Sequence, residues 1–295
     1  MTSLSLDPSQ DDGSSPVTIA DLLVYPIKSC AGLSLAQVDL VATGFAHDRQ
    51  WMLIDDQHEF VSQREYTRMA LIRPVLGEDG GLTVTAPGCA PLGLPAVASG
   101  EALRVRVWDD GLEARAVSAA ADRWFSDFLG APVRLVQFTP GQRRLSSTRW
   151  TGEVEAENSF SDGYPVLVTT TAALDELNRR LALGGHEPVT MARFRPNLVL
   201  DGLAPNGEDG LDELHFATPD GPVTLRLVKP CARCPIPNIN PDTAQVGIEP
   251  GDTLAGYRAD PRMKGAITFG MNAVIVTGFG RRLAVGQGGR GTVQF

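Results

Sequence analysis

The sequence predicts an α+β protein in which strands dominate, with a small, mostly antiparallel sheet or barrel in its first half. Apolar and polar residues alternate there over several short stretches, which is the period of a half-buried strand. Only two stretches carry a helical stripe, and both are bracketed by cap and stop residues. A long polar stretch separates those two helices and marks the expected domain junction.

Residues 1–16 are polar and acidic, without the basic and apolar regions of a signal peptide, and read as a disordered tail on a cytoplasmic protein. Residues 17–138 form the expected β-barrel-like domain. Within it, WMLIDDQHEFVSQ (51–63) has the form of a hairpin with a polar turn, and GLTVTAPG (81–88) alternates Leu82, Val84 and Ala86. In ALRVRVWDDGLEARAV (102–117), Leu103, Val105 and Val107 alternate with polar neighbours before Asp109–Gly111 turn the chain back. The stripe Ala121, Trp124, Phe125, Phe128 and Leu129 predicts a helix capped by Ser118 and stopped by Gly130. Residues 139–163 are polar and glycine-containing, a domain junction or mobile loop. The second domain, 139–295, opens with a helix striped by Leu174, Leu177 and Leu181 and ended by Gly184-Gly185. Strands return in FRPNLVLDG, VTLRLVKP and MNAVIVTG.

At 295 residues the chain is long enough for one large domain or two ordinary ones, and 43% hydrophobic with 21% charged residues suits a globular protein. Its net charge of −9 gives no general electrostatic reason to seek nucleic acid or an anionic membrane. It contains no run of eighteen apolar residues that would predict a membrane span. Any positive site must therefore be local. Lysines are confined to Lys28, Lys229 and Lys264, and two of these fall inside motifs that carry chemistry.

The chemistry concentrates in KPCARCPIPNINPDT (229–243), with two of the four cysteines spaced Cys-x-x-Cys. A structural zinc site wants four ligands and a second such pair, which the chain lacks. A thioredoxin-type couple wants a helix N-terminus after the first cysteine, but Pro235, Pro237 and Pro241 do not sustain a regular helix. There remain a soft thiolate at the end of a strand, favoured by Lys229 and Arg233, and two small buried cysteines in a loop. A single sulfur ligand suits a metal held mainly by its own organic cofactor.

These residues resemble the molybdenum-cofactor signature of the MOSC domain family. VYPIKSCAG (24–32) and GFAHDRQWMLID (44–55) resemble the N-terminal β-barrel domain that accompanies it. FSDGYPVLVTTTAALDELNRRL (160–181), RFRPNLVLDG (193–202) and FGMNAVIV (269–276) are similar to its later segments, so five motifs follow in order from about residue 17 onward. The resemblance runs to the mitochondrial amidoxime-reducing components and their bacterial homologues.

The resemblance implies a MOSC β-barrel as second domain and the molybdenum cofactor (Mo-molybdopterin) held between the two domains. Cys234 would be the metal's protein ligand and Cys231 a neighbour. Lys28, Ser29, Arg49 and Arg195 would meet a terminal phosphate. Asn197 and Asp162 would read the pterin edge, Arg233 would precede the ligand, and Arg64 falls in a similar region. Asp162 is also the one acid–base group that the sequence offers near the metal. The implied activity is reduction of small N-hydroxylated substrates. No cysteine follows Cys234 to build a cluster, so electrons would come from a separate iron–sulfur or flavin reductase. A non-catalytic role in cofactor delivery or sulfur carriage is the alternative. The chain departs from the family at Gly163-Tyr164, where small hydroxyl residues are usual, and at Ala232 and Ala244.

Overall fold

In the computed structural model, which describes residues 14–139 and 141–293, seven strands close a barrel around one apolar core. Val166–Thr170 lies beside Leu198–Asp201, followed by Ser14–Val24, Gly288–Val293, Leu211–Thr218, Gly221–Ala232 and Ala266–Thr277; the last pairs back with Val166–Thr170. Closure leaves no edge among these seven strands. Inward residues such as Ile19, Leu22, Leu200, Leu214, Leu225 and Ala273 are fully buried and fill the interior. All pairings are antiparallel except Val166–Thr170 with Leu198–Asp201. A parallel pair needs a crossover, and the helix Thr171–Leu183 provides it.

Seven of the remaining strands build a second body. Trp51–Ile54, Arg134–Phe138, Asp110–Ala116 and Ala102–Val107 form a four-stranded antiparallel sheet with apolar residues on both faces. Trp51 and Leu53 enter one core while Met52 and Ile54 enter another, the period-two alternation of a strand buried on both sides. A three-stranded sheet of Arg73–Leu76, Leu82–Thr85 and Leu92–Leu94 and the helix Ala119–Leu129 cover the first of these cores. The molecule is therefore mostly β within the α+β class.

Both predicted helices have the expected ends. Ser118 Oγ accepts from Ala121 N–H at 3.1 Å, and Gly130 closes that helix in the left-handed region. Thr170 Oγ1 accepts from Ala173 N–H at 3.1 Å. The 102–116 hairpin forms, but its turn is at Trp108–Asp109, with Trp108 itself at φ 56°. Strand Gly221–Ala232 runs further than expected, through Pro230 and Cys231, and ends one residue before Arg233.

Three findings bear on the segments at the expected domain boundaries. Most of the expected tail, 1–13, lies outside the described residues, and Ser14–Pro16 are already in a strand. That strand, Ser14–Val24, pairs on both sides with strands of the second half and so helps to close their barrel. Nor is 139–163 a loose connection among its described residues. Arg144 is buried and donates to Asp110 Oδ2 at 2.7 Å and to the carbonyls of Ser159 and Ser161 at 3.1 and 2.5 Å. Asn158, Ser159 and Phe160 are buried as well.

Candidate functional site

The registers bring four chain segments to one rim of the barrel. Leu22 faces Leu198, and Val168 also faces Leu198, so the end of the first strand lies beside residues 195–197 and residues 162–165. Pro230 faces Met271, which carries 231–234 to the same rim. The first strand then passes from the barrel into the second body through 25–30, where Lys28 N–H donates to Trp51 O at 2.7 Å. The seam between the two bodies is thus also the mouth of the barrel, and one pocket occupies it.

Lys28, Ser29, Arg49, Asp162, Arg195, Asn197, Arg233 and Cys234, all expected from the sequence, line that pocket together with Cys231 and Arg64. Lys28 Nζ donates to Asp162 Oδ1 at 2.5 Å and to Phe160 O at 2.8 Å. Arg49 donates through one nitrogen to Asp48 Oδ2 and Asn197 Oδ1, at 2.5 and 3.0 Å, and through the other to Arg195 O at 3.2 Å. Arg195 Nη1 donates to Cys30 O at 2.5 Å. Arg233 donates to Phe194 O and to Cys231 Sγ, both at 3.0 Å. Ser29, Arg49 and Arg195 adopt left-handed backbones with φ 65°, 48° and 57°. Non-glycine residues reach that region at a cost of order 1–3 kcal/mol each and cluster where geometry serves function.

Five cations, Lys28, Arg49, Arg64, Arg195 and Arg233, line a pocket whose own carboxylate is Asp162. Burial lowers the pKa of Lys28 even with Asp162 opposite, and burial then Arg49 lower that of Arg195. Burial alone would raise the Asp162 carboxyl. Lys28, then Arg49 and Arg64, outweigh it and hold the group well below the usual carboxylate range. Asp162 therefore meets Lys28 as a carboxylate acceptor at the pocket mouth. Its side chain stays 70% exposed at the mouth although its charge is felt deep in the pocket.

Of the four cysteines, Cys30 is fully buried and pushed up to about 12 by that burial, an inert thiol. Cys234 is exposed and Cys231 half-buried. Among the described residues no cluster of three or more His, Cys, Asp or Glu could hold a metal by itself. The short 3-10 turn Ile236–Asn238 follows the pair in place of a long helix. An exposed sulfur set among surplus cations therefore suits a metal delivered inside an anionic organic group. Three further observations fit such a group. Among the described residues Arg233 Nε is buried with no hydrogen-bond partner, the Tyr164 hydroxyl likewise, and the three left-handed residues curve the wall that carries the cations.

Beside Tyr164 and Lys229, already named, the site holds Asn272 in its lining and Trp150 close by, neither of which the sequence singled out. Tyr164 replaces an expected small hydroxyl residue, and burial pushes its phenol up to about 12, so it is a neutral wall. Lys229 Nζ lies 5.4 Å from the Tyr164 ring and 5.7 Å from that of Trp150. Asn272 reaches the pocket and bonds back to Lys229 O at 3.2 Å. The prolines and cysteines of 229–243 signalled that loop; nothing in the local pattern signalled Trp150, which comes from the polar stretch.

A closed barrel joined to a second β body, with a cysteine and a cation cluster at their seam, defines a two-domain protein built around an anionic group. The chain belongs to the MOSC family: residues 16–132 match the MOSC N-terminal beta barrel domain and residues 155–288 the MOSC domain. It is 35% identical over 258 residues to mitochondrial amidoxime-reducing component 1 of Mus musculus, covering 83% of this chain and 72% of that one. The human protein of the same name is 32% identical over 255 residues, covering 83% and 73%. Molybdenum cofactor sulfurase of Oryza sativa subsp. japonica is 30% identical over 314 residues, covering 97% of this chain but 37% of that longer one. The group against which the site is to be weighed is therefore the molybdenum cofactor, and the residues present fit it.

Proposed function

We propose that this protein is a molybdenum-cofactor-dependent reductase of small N-hydroxylated compounds, cytoplasmic and supplied with electrons by a separate iron–sulfur or flavin protein. The observation that carries the reading is exposed Cys234 lining one pocket with a cation cluster at the domain seam, in a chain similar to proteins named amidoxime-reducing components. Among the described residues no helix is long and apolar enough to cross a membrane.

The bound cofactor supplies two-electron removal of oxygen from nitrogen. The chain's own residues hold and orient it. Cys234 would be its sulfur ligand, and Arg49 and Arg195 offer forked donors suited to a phosphate. Ser29 adds a hydroxyl from a left-handed turn. Arg233, tied to Phe194 O and Cys231 Sγ, fixes the loop that aims Cys234. Asn197 Oδ1, occupied by Arg49 Nη1 and Leu167 N–H, keeps the pterin side of the wall in register. Overall, R–NHOH with two electrons and two protons gives R–NH2 and water. Asp162, 70% exposed at the pocket mouth, is the one carboxylate of the lining where those protons enter from solvent.

The test is molybdenum and pterin content after expression in a host with intact cofactor synthesis, followed by reduction of an amidoxime with reduced viologen as donor. Near-stoichiometric molybdenum is expected in the native protein and in Cys231→Ser, and at least a tenfold loss in Cys234→Ser. Equal metal in both variants would end the ligand assignment. A second reading, cofactor delivery or sulfur carriage, draws on the likeness to the sulfurase over most of this chain. Full cofactor loading without any turnover of amidoxime or hydroxylamine would favour it.

A further inference from the structure

Tyr25 is 1% exposed, yet among the largest fully buried side chains it alone belongs to none of the apolar cores. Its ring faces charge instead. The Arg49 guanidinium carbon lies 4.4 Å from the ring centroid, and that of Arg195 lies 4.2 Å from the same centroid. The backbone is locked in place: Tyr25 N–H donates to Asp48 Oδ1 at 2.8 Å, and Tyr25 O accepts from Arg49 N–H at 2.9 Å. Asp48 Oδ2 takes Arg49 Nη1 at 2.5 Å, so one carboxylate fastens both the ring's backbone and one of its cations. Gly32 leaves the room, since a Cβ there would come within 2.4 Å of the ring.

The Tyr25 hydroxyl is buried without a hydrogen-bond partner among the described residues. Such a group contributes nothing that phenylalanine would lack, and its burial is a cost. The phenol also keeps its proton, because burial pushes it up to about 12, so no phenolate balances the guanidiniums. What the residue offers is the negative face of an aromatic ring. Two guanidiniums brought together repel, and among the described residues Arg195 has no carboxylate as a hydrogen-bond partner. A ring between charge and core lets both stay inside.

We infer that Tyr25 is a positioning residue whose ring holds Arg49 and Arg195 together as one anion receptor. It acts through the two arginines and does not itself touch the anion. The inference rests on reading the seam pocket as an anion site, so its test has one arm that needs no anion.

The first arm is NMR of the Arg49 and Arg195 side chains in the metal-free protein. Both sets of resonances are expected upfield by the ring current in the native protein and in Tyr25→Phe, and to lose that shift in Tyr25→Leu. The second arm is titration with inorganic phosphate, with position 25 carrying phenylalanine or its mono-, di- and trifluorinated forms, nearly equal in shape but progressively weaker in quadrupole. Phosphate affinity within twofold of native is expected for Tyr25→Phe, falling stepwise to about tenfold weaker across the series, the range of a desolvated cation–π contact. The fluorinated forms keep the ring's packing, so the question survives even if Tyr25→Leu does not fold. Unshifted arginine resonances in the native protein, or affinity flat across the series, would overturn the platform. Shifted resonances with no phosphate binding by the native protein would instead leave the platform standing and count against the anion-site reading.

Discussion

Phe160→Ala is expected to lower the unfolding free energy by about 3–5 kcal/mol, the usual loss for a buried aromatic cut to a methyl. Phe160 is fully buried in the core on the outer face of the four-stranded sheet, edge-on to Phe138 at 5.4 Å. Its backbone serves the seam: Phe160 N–H donates to Arg49 O at 3.1 Å, and Phe160 O accepts from Lys28 Nζ at 2.8 Å. The ring is therefore the anchor of a strip that ties two pocket cations together. Phe160→Leu, which refills much of the volume, is expected to recover at least half of the loss, as smaller cavities cost less. Urea unfolding of the three proteins measures this. A loss below 1 kcal/mol for the alanine variant would show that the strip is held elsewhere, by Arg144 above all.

The second large effect is a pH dependence from Glu208. This residue is fully buried, accepts from Thr170 Oγ1 at 2.9 Å, and leaves Oε1 without a partner. Burial, reinforced by Asp209, raises its pKa from 4.5 to about 7. Between those values the folded protein keeps a proton that the unfolded chain releases. The folded state binds more protons, so this group's contribution to stability falls as pH rises from about 4.5 through 7. At about 1.4 kcal/mol per pH unit the loss between pH 5 and 8 is about 2–3 kcal/mol. Glu208→Gln keeps the shape and an acceptor for Thr170 but has no proton to lose. Its stability relative to native is therefore expected to rise by that amount from pH 5 to pH 8. A difference constant over this range would mean that Glu208 titrates as an ordinary carboxyl.

Much of the local structure was legible because local physics writes it. Ser118 and Thr170 cap their helices through hydroxyls that any reader of caps would choose, and Leu103 to Ala116 fold as the alternation says. The seam residues were legible only by likeness. Nothing in the pattern around Lys28 or Arg195 says that they meet, since their approach depends on the pairing of Leu22 with Leu198. Alternation tells which residues of a strand point inward but not which barrel they enter. For that reason the pairing of Ser14–Val24 with strands of the second half was not legible in the sequence. Tyr25 was hidden differently: a tyrosine after an apolar strand looks like core, and only the two guanidiniums over its ring show otherwise.

The pairing of Ser14 with Thr292 also sets an order of events in synthesis. The first strand of the barrel leaves the ribosome long before the strand on one of its flanks exists. The nascent chain must carry Ser14–Val24 without that neighbour until residues 288–293 have emerged, and closing so large a loop is the slow, non-local kind of step. Lys28 and Ser29 hang from that strand, whereas Cys234 hangs from one made two hundred residues later. The receptor is therefore assembled only when the ring shuts.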